Sequence, residues 1–139
     1  MKKLVLFLCT HNSCRSQMAE GLINHYLGDR FQAFSAGTEA TRVNPLAAKV
    51  LSELGIDISS HHSKTLDQFS GQHFDHVITL CGDANEKCPL FFGGTQRQHI
   101  GFDDPSRLKG TEEEVLPEYR RVRDEILQKL TNYLTGVPT

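Results

Sequence analysis

Apolar residues along this chain keep two rhythms. Leu4 to Leu8, "LVLFL", is an unbroken oily run with the length of a strand covered on both faces. Beyond it Met18, Leu22, Ile23, Tyr26 and Leu27 recur at helical spacing, with Gly28 placed to end the helix. "FQAFSAG" (31–37) predicts a second strand that closes in a glycine turn. Asn44 suits a helix cap and Pro45 a first helical position; Leu46, Val50, Leu51 and Leu54 form the stripe and Gly55 the stop. "HVITL" (76–80) predicts a third strand and "RQHIGF" (97–102) a weaker fourth. Tyr119, Val122, Ile126, Leu130 and Tyr133 share one face of a last helix. Thr111 with Glu114 could cap it, but Pro117 would then lie inside, so the predicted start is near Pro117.

Strands alternating with helices predict an α/β fold, a parallel sheet with helices on both faces. Residues 1–139 read as one domain, without repeats or linkers, the only long polar stretch being Lys109 to Glu114. In such sheets the chemistry gathers beyond the carboxyl ends of the strands. Cys9 and Cys81 both fall at those ends.

Composition narrows the function. Hydrophobic residues at 38% and charged residues at 23% describe an ordinary globular protein. Fifteen basic against seventeen acidic side chains leave a net charge of −2, which disfavours a nucleic-acid binder. No run reaches membrane-spanning length. "MKKLVLFLC" imitates a lipoprotein signal, but its oily part is too short and no small-residue cleavage site follows. A buried first strand and a cytoplasmic location are expected, and the expected working unit is a monomer. Cysteines at 9, 14, 81 and 88 in such a chain point to reactive or metal-binding thiols before a static disulfide framework.

"CTHNSCRS" (9–16) joins the first strand to the first helix. A loop in that place turns several backbone N–H groups toward one point, and the helix dipole adds partial positive charge, which suits a tetrahedral oxyanion. Thr10, His11, Asn12, Ser13, Cys14, Arg15 and Ser16 would make up that anion loop. Arg15 adds a permanent charge and a planar fork for two oxygens. The same field favours the Cys9 sulfur as a thiolate, so nucleophile and anion site come from one piece of backbone. Ser16 can donate to the sulfur. Asn12 is the loop residue that best tolerates a left-handed conformation, and its amide can brace the turn. The plainer reading is that Cys9 is a small buried hydrophobe, as Cys14 is expected to be. The strand before Cys9, the helix after it and Ser16 beyond Arg15 favour the nucleophile.

"CTHNSCRS" resembles the phosphate loop of the low-molecular-weight protein tyrosine phosphatase superfamily, and "FSAGT" (34–38) and "GIDISSHHSK" (55–64) resemble its next landmarks. The match runs in order through essentially the whole chain. The resemblance implies a four-stranded parallel sheet flanked by helices. It also implies a general acid at the aspartate just before proline in "FDDPS", which is Asp104; read alone, Asp103-Asp104-Pro105 could equally be a surface turn. The phosphatases usually follow that proline with tyrosine, where this chain has Ser106.

"TLCGDANEKCPL" distinguishes the branches. Where the phosphatases usually end the strand in Met-Asp, this chain has Leu80-Cys81, with Cys88 beyond; that arrangement resembles the thioredoxin-coupled arsenate reductases and their relay of three cysteines. A helical segment between Cys81 and Cys88 would hold their Cα atoms roughly 10 Å apart. A disulfide needs less than about 7 Å, so the pair could close only if that segment unwound. The resemblance then implies arsenate as substrate, with phosphate or sulfate competing, and Cys9, Cys81, Cys88, Arg15 and Asp104 as catalytic residues. Thioredoxin would be the external reductant, no cofactor would be bound, and no membrane or nucleic-acid partner is implied. Two inert thiols, or zinc ligands with His61 and His62, are the alternatives for the second cysteine pair; the spacing is unlike a zinc site. Some relatives hold potassium at positions matching Asn12, Glu20 and Ser35, with an acidic residue where this chain has Lys64; no metal is expected here. A phosphatase using the same loop is the alternative function, and a non-catalytic anion or thiol sensor a more distant one.

Overall fold

The oily run is the buried centre of a sheet. In the computed structural model, which describes residues 2–69, 71–80 and 96–136, Lys3–Cys9 forms β1 and is buried from Val5 to Cys9. Phe31–Gly37 forms β2, His76–Thr79 β3 and Gln96–His99 β4. All pairings are parallel and the order is β2-β1-β3-β4, so β1 is flanked on both edges. The fourth strand ends before "IGF", which runs on as a loop toward Asp104.

Alternation along β1 divides the core. Val5, Phe7 and Cys9 face the α-helices of the described residues: α1 (Arg15–Tyr26), α2 (Pro45–Ser52) and α3 (Glu112–Thr135). Leu6 and Leu8 face the other way, where a 3-10 turn (Leu66–Phe69) and Phe74 cover them. There Phe34, Phe69 and Phe74 pack edge to face with centroids 5.6–5.7 Å apart. Leu22, Ile126 and Leu130 are fully buried between helices and sheet, and truncating any of them to alanine would cost about 2–5 kcal/mol.

Local rules account for the helix ends, with two corrections. The Asn44 side chain accepts from the N–H groups of Leu46 and Ala47, and Pro45 opens α2. α3 begins at Glu112, not near Pro117: Thr111 and Glu114 form a reciprocal capping box, and Glu112 to Glu114 place negative charge on the first turn. Burial of Val115 and Leu116 on the face of Tyr119 adds to this, while Pro117 points to solvent and gives up a single hydrogen bond. Gly28 also acts differently from expectation. It is not among the positive-φ residues; its missing side chain is what lets the Asn24 carbonyl lie against it after the helix closes at Leu27.

Candidate active site

β1 delivers Cys9 to the carboxyl edge of the sheet, level with Gly37 at the end of β2. A methyl group on Gly37 would lie 2.7–2.8 Å from backbone atoms of Cys9, Thr10 and Asn12, so this glycine admits the loop against the sheet. The loop turns at Asn12, whose φ of 48° is the sole left-handed value among the described non-glycine residues. α1 starts at Arg15 with Cys14 as its cap residue. A thiol is a poor cap: no side chain caps this end and its first turn holds no acidic residue. The leading N–H groups of α1 therefore face the loop without a side-chain acceptor.

Hydrogen bonds inside the loop tie it to Cys9. The Asn12 amide donates to Ser16 Oγ at 2.8 Å, and Ser16 Oγ lies 3.1 Å from Cys9 Sγ. Because Ser16 accepts from Asn12, its own hydrogen is free to point at the sulfur. Asn12 Oδ1 accepts from the Lys64 backbone N–H (2.9 Å) and from Gln17 Nε2 (3.0 Å). Burial pushes the Cys14 thiol well above its usual range, with Asp104 and Cys9 adding to the shift, so that sulfur stays protonated.

Arg15 reaches across to the loop beyond β4. Its Nη1 donates to the Phe102 carbonyl at 3.0 Å and its Nη2 lies 3.4 Å from Asp104 Oδ2; Nε is buried without a partner. A buried guanidinium nitrogen without an acceptor is costly unless a ligand completes it, and an oxyanion is the natural completion. Asp104 caps the short turn Pro105–Arg107, its Oδ1 accepting from the Ser106 N–H (3.0 Å) and from Ser106 Oγ (2.6 Å). Cys9, His11, Ser13, Cys14, Arg15, Asp104 and Ser106 line one pocket with about 220 Å³ free of atoms, part of it open to solvent. Thr10 and Asn12 supply the backbone around it. His11, on the rim, pairs with Glu39 at 3.4 Å.

Beneath the loop lies a polar cluster that the motif alone did not reveal. Lys64 Nζ lies 3.5 Å from Ser35 Oγ, 3.3 Å from the His62 carbonyl and 3.7 Å from Glu20 Oε1, while Ser35 donates to Glu20 at 2.7 Å. Glu20 and Ser35, two of the positions matched to potassium ligands, thus converge on an ammonium group. His61 bridges Glu20 (3.2 Å) and Gln17 (3.0 Å). Burial, and then Lys64 and His62, hold its pKa below the usual histidine value against the opposing pull of Glu20 and Asp57. Among the described residues no three His, Cys, Asp or Glu side chains gather as metal ligands.

Cys81 and Cys88 lie outside the described residues. The chain leading to the first of them is placed: the Leu80 N–H donates to the Leu8 carbonyl at 2.8 Å, so the residue before Cys81 is bonded to the residue before Cys9.

A strand-end thiol, an uncapped helix N-terminus, a buried arginine and an aspartate meet across one pocket, an arrangement with the chemistry to hold a tetrahedral oxyanion beside a thiol. Residues 4–138 match the family model described as low molecular weight phosphotyrosine protein phosphatase, and the chain belongs to that family. It is 51% identical over 131 residues to an arsenate reductase of Bacillus subtilis strain 168, covering 94% of each chain. A solved structure titled as an arsenate reductase in the phosphate binding state superposes with a TM-score of 0.82, at 32% identity over 99% of this chain and 100% of that one. A thioredoxin-dependent arsenate reductase of Corynebacterium glutamicum gives a TM-score of 0.66 at 31% identity, over 94% of this chain and 62% of that one.

Proposed function

We propose that this chain reduces arsenate to arsenite through a relay of Cys9, Cys81 and Cys88 that thioredoxin recharges. The loop amides and Arg15 hold the arsenate. The Cys9 thiolate attacks arsenic(V); an arsenic–sulfur bond forms as an arsenic–hydroxyl bond breaks, and the hydroxyl takes the Asp104 proton and leaves as water. The Cys81 thiolate then attacks the Cys9 sulfur. The arsenic–sulfur electron pair stays on arsenic, which departs as arsenite, and a Cys9–Cys81 disulfide remains. Cys88 attacks Cys81, frees Cys9 and leaves an 81–88 disulfide, which the thioredoxin dithiol reduces. Two electrons enter arsenic and two leave one thiol pair, so no bound cofactor or metal takes part. A thiol cycle of this kind belongs in a reducing compartment, the cytoplasm.

The observation that supports the reading best is the hydrogen bond from Leu80 to Leu8, which sets the carboxyl ends of β1 and β3 side by side, each one residue short of a cysteine in the sequence. The relatives named for arsenate reduction support the substrate, and the Corynebacterium protein supports the reductant. The test is turnover of arsenate with purified thioredoxin, thioredoxin reductase and NADPH, with mass mapping of trapped disulfides. Cys88→Ser is expected to stop after about one equivalent of arsenite. Undiminished multiple turnover by that variant would defeat the relay. Phosphoester hydrolysis by the same pocket is the second reading, favoured by Cys9, Arg15 and Asp104 around one cavity; it predicts that Cys88→Ser leaves hydrolysis intact.

A further inference from the structure

Asp104 has two oxygens in different surroundings, and one side chain makes the difference. Oδ1 accepts two hydrogens from Ser106, from the backbone N–H at 3.0 Å and from the hydroxyl at 2.6 Å. Oδ2 has no donor as close: Arg15 Nη2 stands at 3.4 Å and Arg107 Nε at 3.7 Å. A carboxyl group carries its proton on one oxygen, and an oxygen already receiving two short hydrogen bonds has little room for a third hydrogen. The Asp104 side chain is mostly buried, at 17% exposed, while Ser106 itself is exposed and closes over Oδ1 from the solvent side. Asp104 and Ser106 both line the pocket that holds Cys9.

We infer that Ser106 is a positioning residue that saturates Asp104 Oδ1 and so puts the transferable proton on Oδ2, the oxygen beside Arg15. The inference rests on the proposed role of Asp104 as proton donor. In the first step the Oδ2–H bond breaks, its proton joins the hydroxyl leaving arsenic, and its electron pair stays on the carboxylate. The Ser106 hydroxyl keeps its own proton throughout. Without that hydroxyl the carboxyl can rotate or carry its proton on Oδ1, and a smaller share of bound enzyme is ready to react. Ser106 adds no charge to the anion site, so substrate affinity is left alone.

The test is single-turnover release of arsenite by fully reduced enzyme at saturating arsenate, in Ser106→Ala, Ser106→Thr, Asp104→Ala and the Asp104→Ala/Ser106→Ala double variant, with sulfate affinity measured alongside. Ser106→Ala is expected to slow the rate about tenfold, part of the range a general acid supplies. Its sulfate affinity should match that of the unaltered chain, and Ser106→Thr should recover the rate to within about twofold. In the Asp104→Ala background the serine change should cost nothing further, because its target is gone. The inference falls if Ser106→Ala is as fast as the unaltered chain, if it slows the Asp104→Ala enzyme equally, or if it weakens sulfate binding in step with the rate. An unslowed Asp104→Ala would instead remove the donor role on which the inference stands.

Discussion

Asn12 does more for this site than its size implies. It supplies the left-handed turn, passes a hydrogen bond through Ser16 toward Cys9, and accepts from Lys64 and Gln17 behind the loop. Asparagine tolerates the left-handed region because its amide bonds locally; alanine keeps the Cβ, loses those bonds and meets more of the cost of about 1–2 kcal/mol that L-residues pay there. It also leaves the buried Lys64 N–H unpaired, a further 1–3 kcal/mol or so. Asn12→Ala is therefore expected to lose about 3 kcal/mol in urea unfolding and most of its affinity for phosphate. Asn12→Gly should recover the backbone share of the stability and little of the binding. Equal losses in the two variants would show that the backbone angle is not what the site needs. Residues of this kind were legible in the sequence because they are chain neighbours: Cys9, Asn12, Arg15 and Ser16 sit in one loop, and their roles follow from a strand before and a helix after. Gln17 and His61 were not, since their roles arise only where α1 meets the segment after α2, whereas Lys64 was read from the resemblance as an ammonium in a cation's place. Ser106 was seen as a missing tyrosine, and its bond to Asp104 became visible only with both side chains placed.

Among the elements, β3 carries a buried histidine that the mechanism does not use. His76 lies between the rings of Phe31 and Tyr133, with Nδ1 buried and unpartnered. Burial, and then the Lys3 ammonium, hold its pKa below 6.5 against a weaker pull from Asp75. The unfolded chain therefore takes up this proton at a higher pH than the folded chain does. The stability that neutral His76 provides is complete above pH 6.5 and is lost as the pH falls through the lower folded value. His76→Phe removes both the orphaned nitrogen and the titration. Its unfolding free energy in urea should rise at pH 7.5, by about 1 kcal/mol or more, and its midpoint should fall less than that of the unaltered chain between pH 7.5 and pH 5.5. Parallel midpoints across that interval would place the acid sensitivity elsewhere. Elements also show where one rule misleads. Pro117 argued against an early start to α3, but its cost is one hydrogen bond, while the capping box, the acidic first turn and two buried apolar residues all favour Glu112.

For the molecule as a whole, parallel strand direction follows from strands alternating with helices, which is why that direction and the edge bearing Cys9 were readable from the sequence, while the order β2-β1-β3-β4 was not. Among the described residues, the 3-10 turn Leu66–Phe69 lies on the sheet face opposite the helices with Leu66 and Phe69 buried, a detail the hydrophobic pattern did not carry. A pocket lacking an acceptor for Arg15 Nε couples anion binding to folding. A ligand that binds only the native state stabilises it by about 2.7 kcal/mol when present at a hundred times its Kd. Phosphate should therefore raise the Tm steadily with concentration, against chloride at matched ionic strength, and Arg15→Met should flatten that response. A variant that still tracked phosphate in full would mean the anion is held elsewhere.

Cys14 at the head of α1 has a bearing on engineering. A capping side chain there, on a backbone turned from its present αR setting to an extended one, is what a designer seeking heat resistance would install. On the proposed reading the same repair would occupy the N–H groups offered to the oxyanion. Selection for a higher melting point at this position would breed a sturdier protein with a blunted appetite for its substrate.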